Sequence, residues 1–331
     1  MRREAPAGDD SVPPHALSDL SLSSSRAPSG LTAGLAIAAL VAIWGSTWAV
    51  IRVGLEDVPP FTGVALRFAI AAALLLVLAW QRRVPLGRRP IERRLWLVNG
   101  VLSFAVSYCV VYWAEQWIPS GLAAILYATF PLGVAVLAHV WLPGERLTAR
   151  GFVGLLIGLG GVAWIFSDDL AALGGSEVRL AALVMLASPL ASAVANVAVK
   201  RWGSGVHPFS LTAVPMALGA FVAACLALLL EGDSSVEWSG TAVGALLYLS
   251  LMGSVVTFTL YFWLLEHLPA TRLSLITYGV PVVAVVIGVL WLDEPLTLGM
   301  VGGISLVLAG VALAAGRRRV AATQPGGVRG A

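Results

Sequence analysis

Two stretches of the chain, residues 119–142 and 269–292, read PSGLAAILYATFPLGVAVLAHVWL and PATRLSLITYGVPVVAVVIGVLWL. Each begins with a proline, carries a second proline twelve residues later and ends in Trp-Leu, so they match at an offset of 150. After a shift of one residue the match continues from Glu145-Arg-Leu-Thr to Glu294-Pro-Leu-Thr, and then from Gly161-Val-Ala to Gly310-Val-Ala. The chain therefore contains an internal repeat.

The composition is that of a membrane protein. Of 331 residues, 58% are apolar and 12% are charged, and the mean hydropathy is +0.87. A soluble domain has roughly 25% charged residues, about twice this share, to coat its surface. The composition excludes a soluble enzyme, a disordered protein and a nucleic-acid-binding protein, so we expect no nucleic-acid partner.

Ten apolar stretches of membrane-spanning length follow a polar segment, residues 1–30, that is too poor in apolar residues to fold. A bilayer core of about 30 Å needs roughly 20 helical residues. Strand-like alternation is absent, so we predict an all-α integral membrane protein with ten transmembrane helices. The predicted spans are 31–51, 61–80, 95–114, 120–142, 150–166, 179–199, 208–230, 241–264, 270–292 and 298–316.

The positive charges predict the orientation. With the N-terminus inside, 18 of the 21 Lys and Arg residues fall on the inner side, two fall outside, and Arg67 lies within a span. Cytoplasmic loops carry this excess in membrane proteins. We therefore expect both termini, the disordered tail 1–30 and the basic tail 317–331, in the cytoplasm, and the protein in the cytoplasmic membrane of a bacterium.

Five spans fall in each copy of the repeat, 31–166 and 179–316. Because five is odd, the second copy must enter the membrane in the opposite sense to the first. Inverted repeats of this kind are typical of secondary transporters, whose substrate site lies near the midplane between the halves.

Three motifs carry a resemblance to a known family: Trp44-Gly-Ser-Thr-Trp, Leu66-Arg-Phe and the run from Trp113 to Ala124, WAEQWIPSGLAA. With the repeated Glu-x-Leu-Thr before a glycine-rich helix, they resemble the drug/metabolite transporter superfamily and its EamA-type repeat. The resemblance covers residues 31–316. It implies a ten-helix permease that exports amino acids, metabolites or drugs, with cavity walls mainly from spans 1, 3, 4, 6, 8 and 9.

Polar side chains at mid-span depth are the candidates for binding a substrate. A Ser or Thr that bonds its own helix backbone is an equally good interpretation of each hydroxyl. A set rich in Trp, Tyr, Ser and Asn suits neutral, zwitterionic or amphipathic solutes. The candidates are Trp44, Ser46, Thr47, Asn99, Ser103, Tyr108, Tyr127, Ser188, Ser192, Asn196, Thr277 and Tyr278.

Four charged or titratable residues are candidates for a gate or for proton coupling: Arg67, Glu115, His139 and Glu266. Arg67 could anchor an anionic group, but its shallow position favours snorkelling to the interface or a structural pair with Glu115 or Glu56. For Glu115 and Glu266 we favour an interfacial acid over a proton carrier, and for His139 a neutral interfacial histidine over a proton relay.

Prolines and glycines mark further features. Pro131, Pro189 and Pro281 fall within spans 4, 6 and 9, where a proline kinks a helix and frees a carbonyl. Gly154-x3-Gly158 and Gly299-x3-Gly303 mark the fifth and tenth spans, and small residues of this kind serve either packing within the chain or a homodimer. Glu145 and Glu294 are each expected to interact with the start of the helix that follows.

The sequence thus predicts a permease that moves a small organic solute by alternating access, as an efflux system with a proton as its candidate coupling ion. The alternatives are a membrane scaffold or receptor that does not transport, and an intramembrane enzyme. Motifs for a nucleophile, a zinc site or an ATPase are missing. We therefore expect no catalytic residue, no metal and no cofactor, with the solute and the lipid bilayer as partners.

Overall fold

The computed structural model describes residues 28–118, 120–165, 176–232, 234–291 and 298–315, which are helical apart from short connections. Predictions made for residues 1–27, for residues 317–331 and for Glu294 lie outside these ranges. The helices are α1 (Gly30–Gly54), α2 (Pro60–Gln81), α3 (Pro90–Ala114), α4 (Ser120–Tyr127), α5 (Phe130–Trp141), α6 (Ala149–Ile165), α7 (Ser176–Met185), α8 (Ala187–Trp202), α9 (Pro208–Leu230), α10 (Gly240–His267), α11 (Ala270–Ser274), α12 (Ile276–Trp291) and α13 (Leu298–Ala315).

Local sequence explains where these helices begin. Proline occupies the first position of α2, α3 and α9, where its missing N–H costs nothing. Ser29 and Ser239 cap α1 and α10 by accepting hydrogen bonds from backbone N–H groups of the first turn. Six helical segments of the described chain are long and apolar enough to cross a membrane, and α5, α6 and α13 contain shorter apolar helices.

The fourth, sixth and ninth predicted spans are each broken into two helices. The breaks fall at Ala128–Thr129, Leu186 and Leu275. Pro131 and Pro189 therefore lie in the first turns of α5 and α8 rather than at mid-helix, which corrects the sequence-based expectation. Proline is tolerated there because the first N–H groups of a helix have no partner within it. Pro281 does lie inside a helix, α12.

Helices α3 and α10 each contain a π-helical segment, Gly100–Ser107 and Leu251–Val256. The two segments lie about 150 residues apart, at equivalent places of the two repeats. A π turn adds a residue to the helical turn and is common at functional sites. Both segments contribute residues to the site described below, and the apolar pattern alone gave no indication of them.

The glycines of the fifth and tenth spans pack against each other inside one chain. A Cβ added at Gly154 would lie 2.6 Å from the backbone nitrogen of Ala314, and one at Gly310 would lie 2.4 Å from that of Gly158. Close packing within the chain is therefore the role that the structure gives these residues. A homodimer would need other faces of α6 and α13.

We expect Gly154→Ala to lower the free energy of unfolding by about 1–3 kcal/mol, because the new methyl group overlaps backbone atoms that cannot move aside. Gly160→Ala on the same helix is the matched control, since nothing lies within 4 Å of its added Cβ. Thermal unfolding in detergent measures the difference. Equal melting temperatures for the two variants would contradict the close packing of α6 against α13.

Candidate functional site

A cavity lies between the two repeats, with about 980 Å³ of space including its opening. Its walls come from the six spans that the family resemblance implied, with Arg67 added from α2. The lining residues are Trp44, Thr47, Trp48, Ile51, Arg67, Asn99, Ser103, Ser107, Tyr108, Val111, Ala124, Tyr127, Phe130, Ser192, Asn196, Phe258, Tyr261, Phe262, Leu273, Ile276, Thr277 and Val280.

Arg67 is the charged group on this wall, and its side chain is only 1% exposed. Its Nε donates to Ser254 Oγ at 2.9 Å and its Nη2 to the carbonyl of Gly253 at 2.9 Å, both in the π segment of α10. Its Nη1 donates to the hydroxyl of Tyr112 at 3.3 Å. The guanidinium carbon also lies 4.8 Å from the ring centre of Tyr108, within cation–π range.

Of the interpretations that the sequence favoured for Arg67, snorkelling is therefore wrong, and a structural pair with Glu115 stays a prediction. The side chain does not snorkel to the interface, because neutral hydrogen-bond acceptors of α10 hold it inside the bundle. A guanidinium has five N–H donors, and three of them are used by these partners. The remaining donors and the full positive charge are what Arg67 offers to an anionic group.

Aromatic rings form much of the cavity wall. Trp44 lies 5.4 Å from Tyr261 and 5.6 Å from Phe258, and Trp48 lies 5.7 Å from Tyr127, between ring centres. Trp44 Nε1 is buried without a hydrogen-bond partner among the described residues. This wall suits an apolar body with few polar groups, the usual design of a small-molecule site.

Two asparagines on opposite repeats supply further polar groups. Asn99 donates its amide to the carbonyl of Leu211 at 2.8 Å, and Asn196 donates to the hydroxyl of Tyr261 at 2.5 Å. In the described part of the chain, the amide oxygen of each is buried and has no partner. Such orphaned acceptors are costly unless a ligand or water satisfies them.

A row of hydroxyl groups joins α3, α4 and α8. Tyr127 donates to Ser192 at 3.3 Å, Ser192 donates to Ser107 at 2.9 Å, and Ser107 lies 2.7 Å from Ser188. Ser107 belongs to the π segment of α3, so the altered helical turn carries part of this row. The row gives the cavity donors and acceptors that can reorient for different solutes.

Nine of the twelve predicted substrate residues border the cavity, and three do not. Ser46 bonds to the hydroxyl of Tyr248 at 2.6 Å and to the carbonyl of Ile43. Ser188 is fully buried at the far end of the hydroxyl row, and Tyr278 donates to the carbonyl of Leu155 at 2.8 Å. These three side chains bond to other parts of the protein, and other residues of the same helices border the cavity.

Glu115 is fully buried against its neighbours at the end of α3, and the expectation of an interfacial acid stays a prediction. Neither of its carboxylate oxygens has a hydrogen-bond partner among the described residues. Arg52 approaches Glu115 but donates to its backbone carbonyl instead. Burial of a carboxylate charge without such partners is expensive, and the protonated form avoids that cost.

His139 and Glu266 lie away from the cavity lining and are exposed. The Nδ1 of His139 accepts a hydrogen bond from the backbone N–H of Leu147 at 3.2 Å. The backbone carbonyl of Glu266, not its carboxylate, accepts from Lys200. The interfacial roles that the sequence favoured for these two residues stay predictions.

Several lining residues were not predicted, among them Trp48, Ser107, Phe258 and Tyr261. Helical spacing contained a signal for two of them, because Trp48 follows Trp44, and Ser107 follows Ser103, by four residues. Residues at that spacing share a helix face. Phe258 and Tyr261 carry no such signal, since α10 is apolar on most of its surface.

A helical membrane protein with a partly polar central cavity between two sequence repeats has the architecture of a membrane transporter. The family model of the EamA-like transporter family matches residues 31–167 and again residues 179–316. The chain belongs to the EamA-like transporter family. The resemblance to drug/metabolite transporters and the presence of two EamA repeats are thereby confirmed, and the protein is a multi-pass membrane protein.

Individual relatives agree with this assignment. The chain is 28% identical to an uncharacterized transporter, YoaV, of Bacillus subtilis over 84% of this chain and 94% of YoaV. It is 31% identical to a probable terminal-alkyne amino-acid exporter of Streptantibioticus cattleyicolor, over 87% of this chain and 96% of the exporter. A solved crystal structure, 23% identical, has the same fold with a TM-score of 0.74, over 86% of this chain and 97% of that one.

Proposed function

We propose that this protein is a secondary transporter that exports a small carboxylate-bearing solute across the cytoplasmic membrane by alternating access. The observation that carries the proposal is the buried Arg67 on the wall of an otherwise largely aromatic cavity. An energetically costly charge inside a membrane protein marks a functional site by default. The role is that of a carrier and not of an enzyme.

In many transporters, alternating access rests on two halves of opposite orientation. We propose ten spans in two inverted units, 31–166 and 179–316, with both termini in the cytoplasm. The distribution of Lys and Arg supports the orientation, and the odd number of helices per repeat supports the inversion. The cavity between the repeats is then the site that each side of the membrane reaches in turn.

The solute we propose is zwitterionic and amino-acid-like, with an apolar side chain. Its carboxylate would bind the guanidinium of Arg67, and its apolar part would lie against Trp44, Trp48 and Phe258. The unpartnered amide oxygens of Asn99 and Asn196 would accept hydrogen bonds from its ammonium group. The Streptantibioticus relative is named a probable terminal-alkyne amino-acid exporter, and an amino acid belongs to this class.

We propose Glu115 as the group that couples this movement to a proton. Arg52 and Arg67 are the cations that act on its carboxylate. When a solute carboxylate occupies Arg67, the charged form of Glu115 loses that cation's support and the protonated form is favoured. When Arg67 is free, Glu115 can release its proton, so the binding of a solute carboxylate and the binding of a proton favour each other.

Flux through purified protein in proteoliposomes tests the function. Vesicles that contain a pH-sensitive dye are supplied with a mixed pool of amino acids and metabolites, with and without an imposed proton gradient. We expect saturable uptake of apolar amino acids and a matching change in dye signal. A complete lack of flux across the pool would overturn the proposal in favour of a scaffold or receptor.

A further inference from the structure

Glu145 makes a contact that joins the two repeats. It lies in the connection between α5 and α6, in the first repeat. Its Oε1 accepts from the backbone N–H of Ala270 at 2.9 Å, and its Oε2 accepts from the N–H and the hydroxyl of Thr271 at 3.0 and 3.1 Å. The carboxylate therefore binds the start of α11, in the second repeat, rather than the helix that follows it in sequence.

The helix that Glu145 holds leads directly into the cavity wall. Leu273 lies two residues after Thr271, and Ile276 and Thr277 follow at the start of α12. Any displacement of α11 must move these side chains, because fewer than two helical turns separate them from the bound N–H groups. The contact thus fixes one end of the cavity.

Other contacts converge on the same end of the bundle. Lys200 donates to the carbonyl of Leu265 at 2.7 Å, and Arg201 donates to the carbonyl of Trp141. The rings of Trp141 and Trp202 lie 6.3 Å apart between centres. These contacts join the ends of α5, α8 and α10, each of which supplies cavity residues at a greater depth. The charge pattern predicts that this end is cytoplasmic.

A second glutamate provides an internal comparison. Glu231 at the end of α9 accepts hydrogen bonds from the N–H groups of Phe61 and Thr62 at 2.7 and 2.9 Å, and from the Thr62 hydroxyl at 2.8 Å. The chemistry is the same, three bonds to a helix start. However, this contact joins α2 to α9, which pack extensively against each other, so it cannot open without separating that pair.

We propose that Glu145 is a gating residue: its contact with Ala270 and Thr271 holds the cytoplasmic end of the cavity closed and breaks when the cavity opens to that side. The proposal rests on the alternating-access function proposed above. The Glu145 contact joins the connection after α5, in the first repeat, to the start of α11, in the second repeat. Breaking it releases the start of a five-residue helix that packs against α5, whereas breaking the Glu231 contact disturbs the much larger packed pair of α2 and α9.

The test measures access to the cavity without any solute. The full chain with Cys109→Ala, Cys225→Ala and Thr277→Cys is placed in inside-out membrane vesicles and labelled with a membrane-impermeant maleimide. We expect Glu145→Gln to raise the labelling rate at Thr277→Cys about fivefold or more, because charge-assisted hydrogen bonds that hold the closed state are weakened. Glu231→Gln is the matched control and should leave the rate within about twofold of the parent.

Three outcomes overturn the proposal: an unchanged rate in Glu145→Gln, a lower rate, or an equal rise in both glutamine variants. If Glu145→Gln does not assemble, Thr271→Val removes one of the three bonds to the carboxylate and should raise the rate by about fourfold or more. A rise of less than about twofold in that variant would overturn the proposal. Because labelling needs no transported solute, failure of the flux experiment leaves this result interpretable. Normal flux with unchanged labelling would overturn the gating role alone.

Discussion

Arg67→Gln is expected to abolish the preference of the transporter for solutes that carry a carboxylate. In the parent protein, we expect an apolar amino acid to move at least about tenfold better than its carboxamide, since a hydrogen bond to a charged group is worth about 1.5–3 kcal/mol. The variant should move both solutes at a similar, low rate. Competitive counterflow in proteoliposomes, with the acid and the amide supplied together, measures this ratio.

The control for this experiment addresses the structural role of Arg67. The guanidinium also bonds to Ser254 and Gly253, so its loss could weaken the contact of α2 with α10. Ser254→Ala removes one of these partners and keeps the cation, and it should retain the preference for the acid. Arg67→Lys keeps the charge but not the fork of donors and should give an intermediate ratio. A full preference in Arg67→Gln would contradict the proposed anchor.

Glu115→Gln is expected to uncouple solute movement from the proton gradient. Glutamine mimics the protonated acid, so the site can no longer release a proton when Arg67 becomes free. Solute exchange should continue within about threefold of the parent rate, because the neutral form of the site is preserved. Accumulation driven by an imposed pH gradient, and the accompanying dye response, should disappear.

Glu266→Gln is the matched control for the second experiment. It is the same substitution at an exposed site whose carboxylate makes no described hydrogen bond, and it should leave coupling unchanged. Gradient-driven accumulation that persists in Glu115→Gln would show that another group carries the proton. Loss of coupling in both variants would point to a general effect of charge rather than to the buried position of Glu115.

The broad architecture could be predicted from the sequence because it depends on short apolar runs and on motifs that occur once in each of the two repeats. Apolar runs show where helices can lie in a bilayer, and the matched prolines and Trp-Leu pairs show the repeat. Each predicted span within the described ranges falls on helical structure. The breaks before Pro131 and Pro189 agree with the kinks that these prolines predict, whereas the break at Leu275 has no such proline close behind it.

The charged residues show the limits of sequence reasoning most clearly. Depth along a helix predicts where an arginine could reach the interface, but not which neighbours it meets. Arg67 remains inside because Gly253 and Ser254 lie beside it, although they are 186 and 187 residues away in the chain. Glu145 likewise binds a helix start 125 and 126 residues away rather than its own.

The sequence by itself determined the membrane environment, the repeat and the transporter family, because hydropathy and motif spacing are properties of short stretches of chain. Only the tertiary structure decided which polar side chains border the cavity, that Arg67 and Glu115 are buried, and that Glu145 joins the two repeats. The physical reason is that an apolar helix buries any of its faces almost equally well in lipid. The rotation of the helix about its axis is therefore set by contacts with helices that are far away in sequence but adjacent in space. The sequence pattern along the helix does not show which helices these are.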